Sequence, residues 1–327
     1  MKIGKTEDSN LPIIYIHAGL GNQLFQLAAA NVLCEDGKYL IDISSFNNSE
    51  EFLSKFSFGK KLNILPMKKK KFMEQKLINL IIRANYRPNR KQKTQWIYFL
   101  ADIVSKNILS KVYLKGRTIV TSSNLGFDEQ LIIKKPHSYL IGYFQTYVWP
   151  SKPINKNFFK DMQLIKSNSD FDYYRELSKV EKPLVVHIRL GDYLAQKSFG
   201  ILSKKYFHDA IESLWNINKY KKVWIFSNEP DKIRSYVPSH LSSLCRTIDL
   251  NLNDAAATLQ LMKYGHGYVL SNSTFGWWGA FLSINDEVDV VVPNPWFKVA
   301  VDPDQIIPAN WSRMSGWPIH NTLQGRI

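Results

Sequence analysis

Short apolar runs alternate with amphipathic stretches along most of the chain, and this pattern predicts an α/β fold. Runs of Leu, Val and Ile are typical of strands that are buried in parallel sheets, and strands that alternate with helices give sheets covered by helices. The predicted strands are 13–16, 38–42, 139–143, 184–188, 223–226, 267–270 and 288–292. The predicted helices are 22–34, 70–83, 94–113, 204–216 and 254–264, with a further helix opening after Ser273.

The stretch 149–156 contains Pro150 and Pro153 and is predicted to be a linker. It divides the strands and helices into two α/β halves. A chain of 327 residues is long enough for two domains of ordinary size. We therefore expect one domain over residues 1–150 and a second over residues 151–327.

A cationic turn follows the predicted strand 184–188, where Arg189 stands two residues before Gly191. Open α/β sheets bind ligands at the carboxyl ends of their strands. A guanidinium group offers a planar fork of donors that suits phosphate, and glycine permits a tight turn. This pattern indicates a site for a phosphorylated ligand. An equally good interpretation is a surface ion pair between Arg189 and Asp192.

Two other strands are followed by unusual turns. Gly19 and Gly21 open a helix after the first strand, although the third glycine of the dinucleotide-binding fingerprint is absent. Ser273 and Thr274 follow the strand 267–270, where hydroxyl groups and free N–H groups at a helix start can form an anion cradle. They can also be an ordinary helix cap. For Trp277 and Trp278, which come next, core packing is the favoured interpretation.

Together these segments resemble the bacterial α-1,2-fucosyltransferases of glycosyltransferase family 11. The five matching segments occur in the family's order and are 18–26, 142–146, 187–193, 225–230 and 272–280. Four positions depart from the family pattern. Ala18 replaces a glycine, Leu190 an arginine and Gly276 a serine. Thr258 stands where the family often has an acidic residue.

The resemblance implies a GT-B-type α/β fold, in which two Rossmann-like domains face a cleft. The first domain would bind the acceptor and the second the nucleotide sugar. The implied activity is inverting transfer of fucose from GDP-β-L-fucose to the 2-hydroxyl of a galactose residue in an O-antigen or capsule glycan. Another nucleotide-sugar glycosyltransferase is one alternative, and a non-catalytic, basic membrane-surface binding protein is another.

Transfer from a nucleotide diphosphate sugar develops negative charge on the departing β-phosphate, and a preplaced cation stabilises that charge best. Arg189 is predicted to fill this role. His187 and Asp192, the other two predicted catalytic residues, would orient the turn or contact the donor. The predicted donor-binding residues are Asn22, Ser227, Asn228, Asn272, Ser273, Thr274 and Phe275.

The general base that inversion requires is not identified by the pattern. Asp192 and His17 are candidates, although a structural role is favoured for each, and a loose transition state could need only weak base assistance. No metal ion or organic cofactor is expected. The two Asp-x-Asp spacings, at 170–172 and 302–304, are interpreted as loops.

The positive charge is concentrated in one block. Residues 60–93 hold twelve Lys and Arg against one acid, Glu74, which gives +11 of the formal +15. A basic flank beside an amphipathic helix can dock on an anionic membrane surface, and this interpretation is slightly favoured over a core helix with a solvated basic loop. A lipid-linked glycan acceptor would fit such a location. Nucleic acid is not expected as a partner, since no nucleic-acid motif accompanies the charge.

Composition favours an intracellular location. The two cysteines, Cys34 and Cys245, exclude a disulfide scaffold. The first residues lack an apolar signal region, and no apolar run approaches the ~20 residues of a membrane span. We therefore expect a cytoplasmic enzyme that can lie peripherally on the inner face of the membrane.

Overall fold

The structure is a computed structural model. It describes residues 10–46, 53–65, 72–85, 113–114, 116–122, 124–131, 137–160, 162–194, 198–217, 219–249 and 254–317. The chain forms two compact units. The first comprises residues 1–169, 252–260 and 300–309, and the second comprises 170–251, 261–299 and 310–327. The predicted domain boundary at residue 150 therefore lies inside the first unit.

A mainly parallel sheet forms the core of the first unit. Its strands run in the order β2-β1-β5-β4-β3, and only the β3–β4 pair is antiparallel. Their apolar side chains pack with Ile78 and Ile81 of the second helix. The strands are β1 (Ile13–Tyr15), β2 (Leu40–Asp42), β3 (Tyr113–Leu114), β4 (Arg117–Val120) and β5 (Ser138–Leu140). The helices are α1 (Leu20–Leu33), α2 (Phe72–Asn85) and α3 (Pro153–Lys160).

The second unit contains a parallel sheet with the strand order β8-β7-β6-β9-β10-β11. Read along the chain this is the order 3-2-1-4-5-6 of a dinucleotide-binding Rossmann sheet. The strands are β6 (Leu184–Ile188), β7 (Val223–Ser227), β8 (Cys245–Thr247), β9 (Gly267–Leu270), β10 (Asp289–Pro293) and β11 (Ser312–Met314). The helices are α4 (Ser169–Glu181), α5 (Lys204–Trp215) and α7 (Thr274–Phe281), while α6 (Ala255–Met262) begins in the first unit and ends in the second.

The predicted fold class, an α/β protein of GT-B type, is confirmed, since each unit is built on a mainly parallel sheet with helices between its strands. The strands predicted at 184–188 and 267–270 have the observed bounds. Both are buried along their whole length, so their apolar runs carry a strong signal. The other predicted strands agree within a few residues.

The predicted linker is wrong, because 149–156 forms a turn and the first half of α3. Proline is well tolerated in the first turn of a helix, so Pro153 begins α3 and does not interrupt it. The Asn155 side chain is buried and donates to the carbonyl oxygens of Ala28 and Trp149. Phe159 packs on Phe58, which ties this helix to the first unit.

Asp170 and Asp172 were expected in a loop and instead occupy the first turn of α4. Acidic side chains at this position interact favourably with the helix dipole, and Asp172 also pairs with Arg175 at 3.2 Å. The other Asp-x-Asp spacing, at 302–304, lies in a loop as predicted.

The helix predicted over 94–113 falls outside the described residues except at Tyr113, which begins β3. Within the described part of the chain, no helix is long and apolar enough to cross a membrane.

Candidate functional site

The candidate site of the second unit lies where β6 and β9 end side by side. The two strands pair in parallel from Leu184–Gly267 to His187–Leu270. Strand order changes direction at this pair, since β7 and β8 lie beyond β6 while β10 and β11 lie beyond β9. Such a switch point separates the loops that follow two neighbouring strands and opens a crevice for ligands at their carboxyl ends.

The turn after β6 carries Arg189, which is half-buried. The backbone N–H of Leu190 donates to the Asn228 side-chain oxygen at 3.0 Å. A Cβ added at Gly191 would lie 2.5 Å from Asn228 Nδ2, so the absence of a side chain there lets the amide approach. Asn228 directly follows β7, and it thus fixes the arginine turn from the neighbouring strand.

His187 is buried beneath this turn. Its Nδ1 lies 2.8 Å from the Ser271 hydroxyl oxygen, and the Ser271 N–H donates to the His187 carbonyl at 3.0 Å. A Cβ at Gly276 would lie 2.7 Å from His187 Nδ1, so the glycine leaves room for the ring. Burial, with the positive charge of Arg189 as a second cause, lowers the pKa of His187 to about 3. The imidazole is therefore neutral at physiological pH and serves to join the two strand ends.

This buried histidine predicts acid sensitivity. His187 and His17, whose pKa burial lowers to about 4, stay neutral in the fold but take up a proton near pH 6.5 once unfolded. Their contribution to stability is therefore complete above pH 6.5 and is lost as the pH falls below it, by about 1.4 kcal/mol per pH unit for each residue. The free energy of unfolding is measured by urea denaturation at pH 6 and at pH 5. His187→Asn is expected to reduce the fall in this free energy over that pH unit by about 1.4 kcal/mol. An equal fall for the variant and the parent protein would contradict the assignment.

The turn after β9 leads into α7. Ser273 caps this helix, and its hydroxyl accepts from the Phe275 N–H at 3.3 Å. Asn272 is buried, and its side chain donates to the Phe199 carbonyl at 3.1 Å, while its own carbonyl accepts from the Tyr193 hydroxyl at 3.0 Å. Thr274, half-buried, is the first residue of α7. The first N–H groups of a helix lack intrahelical partners and favour an anion.

Aromatic residues surround this turn. The Phe275 ring is half-buried, with its centroid 5.9 Å from that of His187. Trp277 and Trp278 are fully buried, which confirms core packing as their role. Tyr193 and Phe199 were not predicted to belong to the site. Tyr193 could have been found, since it ends the predicted 187–193 segment, but nothing in the sequence near Phe199 signals its role.

Two further predicted residues are Ser227, which ends β7, and Asp192, which lies in the turn after β6. The Ser227 hydroxyl accepts from the Glu229 N–H at 3.0 Å, which stabilises the bend after β7. The backbone of Asp192 lies in the 3-10 turn Gly191–Leu194, while its side chain lies outside the described residues. No group of three or more potential metal ligands occurs among the His, Cys, Asp and Glu residues that the structure describes.

Asn22 belongs to the first unit, near the start of α1. Its side-chain oxygen accepts from the Gln145 side chain at 2.7 Å, which links the helix to the segment after β5. His17 lies between β1 and α1, with its Nε2 3.2 Å from the Gly142 carbonyl oxygen. These contacts join the segment after β1 to the segment after β5, its parallel neighbour in the sheet.

Ala18, beside His17, has a φ of 64°. The left-handed region costs a residue with a Cβ about 1–2 kcal/mol, whereas glycine adopts it freely. After the greater flexibility of glycine in the unfolded chain is subtracted, Ala18→Gly is expected to stabilise the protein by about 0.5–1 kcal/mol. The corresponding rise in Tm is about 1–4 °C. Ala30→Gly, within α1, is the matched control and is expected to lower Tm. A fall in Tm for both variants would contradict the prediction.

The family model described as "Glycosyl transferase family 11" matches this chain over residues 13–314. The chain belongs to glycosyl transferase family 11. It is therefore a glycosyltransferase, and the resemblance drawn from its five segments is confirmed at the level of the family.

Two curated relatives come from Escherichia coli. The O-antigen biosynthesis glycosyltransferase WbnK is 24% identical over 309 residues, which covers 86% of this chain and 93% of the relative. An alpha-1,2-colitosyltransferase is 24% identical over 301 residues, which covers 88% and 93%.

Two solved structures are similar over most of the chain. Fucosyltransferase NodZ from Bradyrhizobium aligns with a TM-score of 0.45 and 11% identity, over 84% of this chain and 93% of that one. The ADP-heptose LPS heptosyltransferase II of E. coli aligns with a TM-score of 0.46 and 12% identity, over 93% and 90%.

Proposed function

We propose that this member of glycosyl transferase family 11 transfers fucose from GDP-β-L-fucose to the 2-hydroxyl of a galactose residue in a surface glycan, with inversion at the anomeric carbon. The observation that carries the proposal is the convergence of Arg189 and the start of α7 at the β6–β9 switch point. A cationic fork and the N-terminus of a helix at neighbouring strand ends would together form an anion site, which suits the diphosphate of a nucleotide sugar.

In the proposed reaction, the acceptor hydroxyl attacks the anomeric carbon of fucose while the bond to the β-phosphate oxygen breaks. The leaving GDP gains negative charge, which Arg189 and the first N–H groups of α7 stabilise. Asn272 and Ser273 hold the backbone of that turn, and Thr274 and Phe275 present the helix start to the donor. Ser227 and Asn228 hold the bend behind the arginine turn.

The buried positions of two candidate residues bear on proton transfer. His187 is neutral and occupied with Ser271, so we assign it a positioning role. His17 is buried, and its Nε2 faces the Gly142 carbonyl, which supports a structural role there too. We propose that the fucosyl ring carries positive charge in a loose transition state, so that the acceptor hydroxyl needs only weak base assistance and releases its proton to solvent as the new bond forms. We propose that the reaction requires no metal ion.

One observation favours a second donor. One of the curated relatives is an alpha-1,2-colitosyltransferase, so the family's donor sugar varies. The acceptor glycan is proposed from the other relative, whose name places it in O-antigen biosynthesis. A lipid-linked galactoside is the form of such a glycan that we propose as substrate.

The proposal is tested by measuring release of the nucleoside diphosphate, GDP or UDP, with purified protein, a panel of β-galactosides and excess EDTA. GDP-fucose, GDP-colitose and UDP-galactose are compared as donors. Release that depends on both GDP-fucose and a galactoside, and that EDTA does not reduce, is expected. Faster turnover of GDP-colitose than of GDP-fucose would show that colitose, and not fucose, is the preferred donor sugar. Turnover of UDP-galactose alone would overturn the assignment of a guanine nucleotide.

A further inference from the structure

Helix α2 of the first unit presents an unusual outer face. Phe72 and Met73 are each 72% exposed, and Leu80 is 61% exposed. Lys76 and Arg83 are the exposed cations of the same helix. With 3.6 residues per turn, these five side chains fall within about a third of the helix circumference. We call this set the outer face of α2.

The opposite side of the helix is anchored in the unit. Ile78 and Ile81 are fully buried and join the core that includes Tyr15 and Tyr139 of the sheet. The side chain of Asn85, at the last position of α2, is buried and donates to the Thr121 hydroxyl at 3.1 Å. The helix therefore holds its place through its inner side, and packing within the unit gives no reason for large apolar groups on the outer face.

Charge indicates what the outer face meets. Residues 60–93 carry twelve basic side chains and one acid, and this block supplies +11 of the formal +15. The acid, Glu74, is half-buried and lies on another side of the helix. The Lys76 ammonium lies 4.4 Å from the centre of the Phe72 ring, so cation and apolar surface are side by side. A surface that combines fixed negative charge with an apolar layer complements this arrangement.

We propose that the outer face of α2 docks the protein on an anionic lipid bilayer. An amphipathic helix in the membrane interface buries its apolar side chains near the acyl boundary while its cations meet lipid phosphates. Nucleic acid fits the face less well, because it offers phosphate but no apolar layer for Met73 and Leu80. The docking proposal rests on α2 and on the basic block 60–93 that contains it, and it does not depend on the identity of the donor or acceptor.

The test is co-sedimentation of the full chain with vesicles of phosphatidylcholine alone or with 30% phosphatidylglycerol added. We expect binding to the anionic vesicles, weakened in 0.5 M NaCl, and little binding to the neutral ones. Lys76→Gln with Arg83→Gln is expected to weaken binding about fivefold per charge, which corresponds to about 1 kcal/mol for each cation near such a surface. Phe72→Ser with Leu80→Ser is expected to weaken it by about tenfold or more.

Val180→Ser with Ile284→Ser is the matched control, since both side chains are exposed apolar groups of the second unit. It is expected to leave vesicle binding unchanged. Tm and GDP release with a soluble galactoside are measured for every variant, which separates loss of docking from loss of folding or of activity. Equal binding to neutral and anionic vesicles, no binding to either, or unchanged binding by both outer-face variants would overturn the proposal.

Discussion

Replacing Arg189 with alanine is expected to lower kcat/KM by about 10³-fold or more, with folding unchanged. One preplaced donor to a developing oxyanion contributes about 10²–10³ to the rate, and a guanidinium adds charge to its hydrogen bonds. The side chain is half-buried in a turn that is held by backbone contacts of Leu190 and by Asn228, so its removal leaves the turn intact. Steady-state kinetics of GDP release check the prediction.

The matched control is Arg234→Ala, because Arg234 is an exposed arginine of the same unit outside the switch point. It is expected to retain the parent kcat/KM. Arg189→Lys is expected to recover only part of the lost rate, since an ammonium has no planar donor fork. Full activity in Arg189→Ala would place the charge stabilisation elsewhere.

Gly191→Ala is expected to lower kcat/KM by about 10–100-fold, because the new Cβ would lie 2.5 Å from Asn228 Nδ2. The Asn228 amide must then move, and its hydrogen bond from the Leu190 N–H is lost. Asn228→Ala removes the same hydrogen bond directly and is expected to have a similar effect. In the proposed reaction, displacing the turn by even an ångström would move the Arg189 fork away from the leaving phosphate.

The two changes act on one contact, so their effects are expected not to add. The double variant Gly191→Ala with Asn228→Ala should be little slower than Asn228→Ala alone, since the clash with the amide is gone and only Glu229 Oε1, at 3.1 Å, still lies close to the new Cβ. The kinetics of the four proteins in this cycle are compared at a temperature well below the Tm of each one. A double variant whose loss equals the product of the single losses would show that the two residues act independently.

The elements that the sequence predicts best are buried on all sides. The strands at 184–188 and 267–270 are almost entirely apolar, with His187 as the exception, and their bounds are as predicted. The local sequence pattern does not correctly predict elements that depend on tertiary contacts. Helix α3 begins at a proline and is held by Asn155, and β8 and β11 are short strands with largely exposed or half-exposed side chains.

The candidate site shows the same division. The sequence alone identifies Arg189 and Ser273 as candidate site residues, because each stands just after a strand that is recognisably buried. Their proximity follows from the parallel pairing of β6 with β9, which no local pattern reports. The roles of Asn228 and Gly276 also depend on packing, since each is explained by what it lies against: the turn in one case and the His187 ring in the other.

The most direct test of the proposed transfer is the structure of its product. Protein is incubated with GDP-β-L-fucose and a β-galactoside, and the linkage and anomeric configuration of the product are determined by NMR. An α-linked fucose on O2 of galactose is the predicted result. A β-linked fucose, a linkage to another hydroxyl, or hydrolysis of GDP-fucose with no glycoside formed would contradict it.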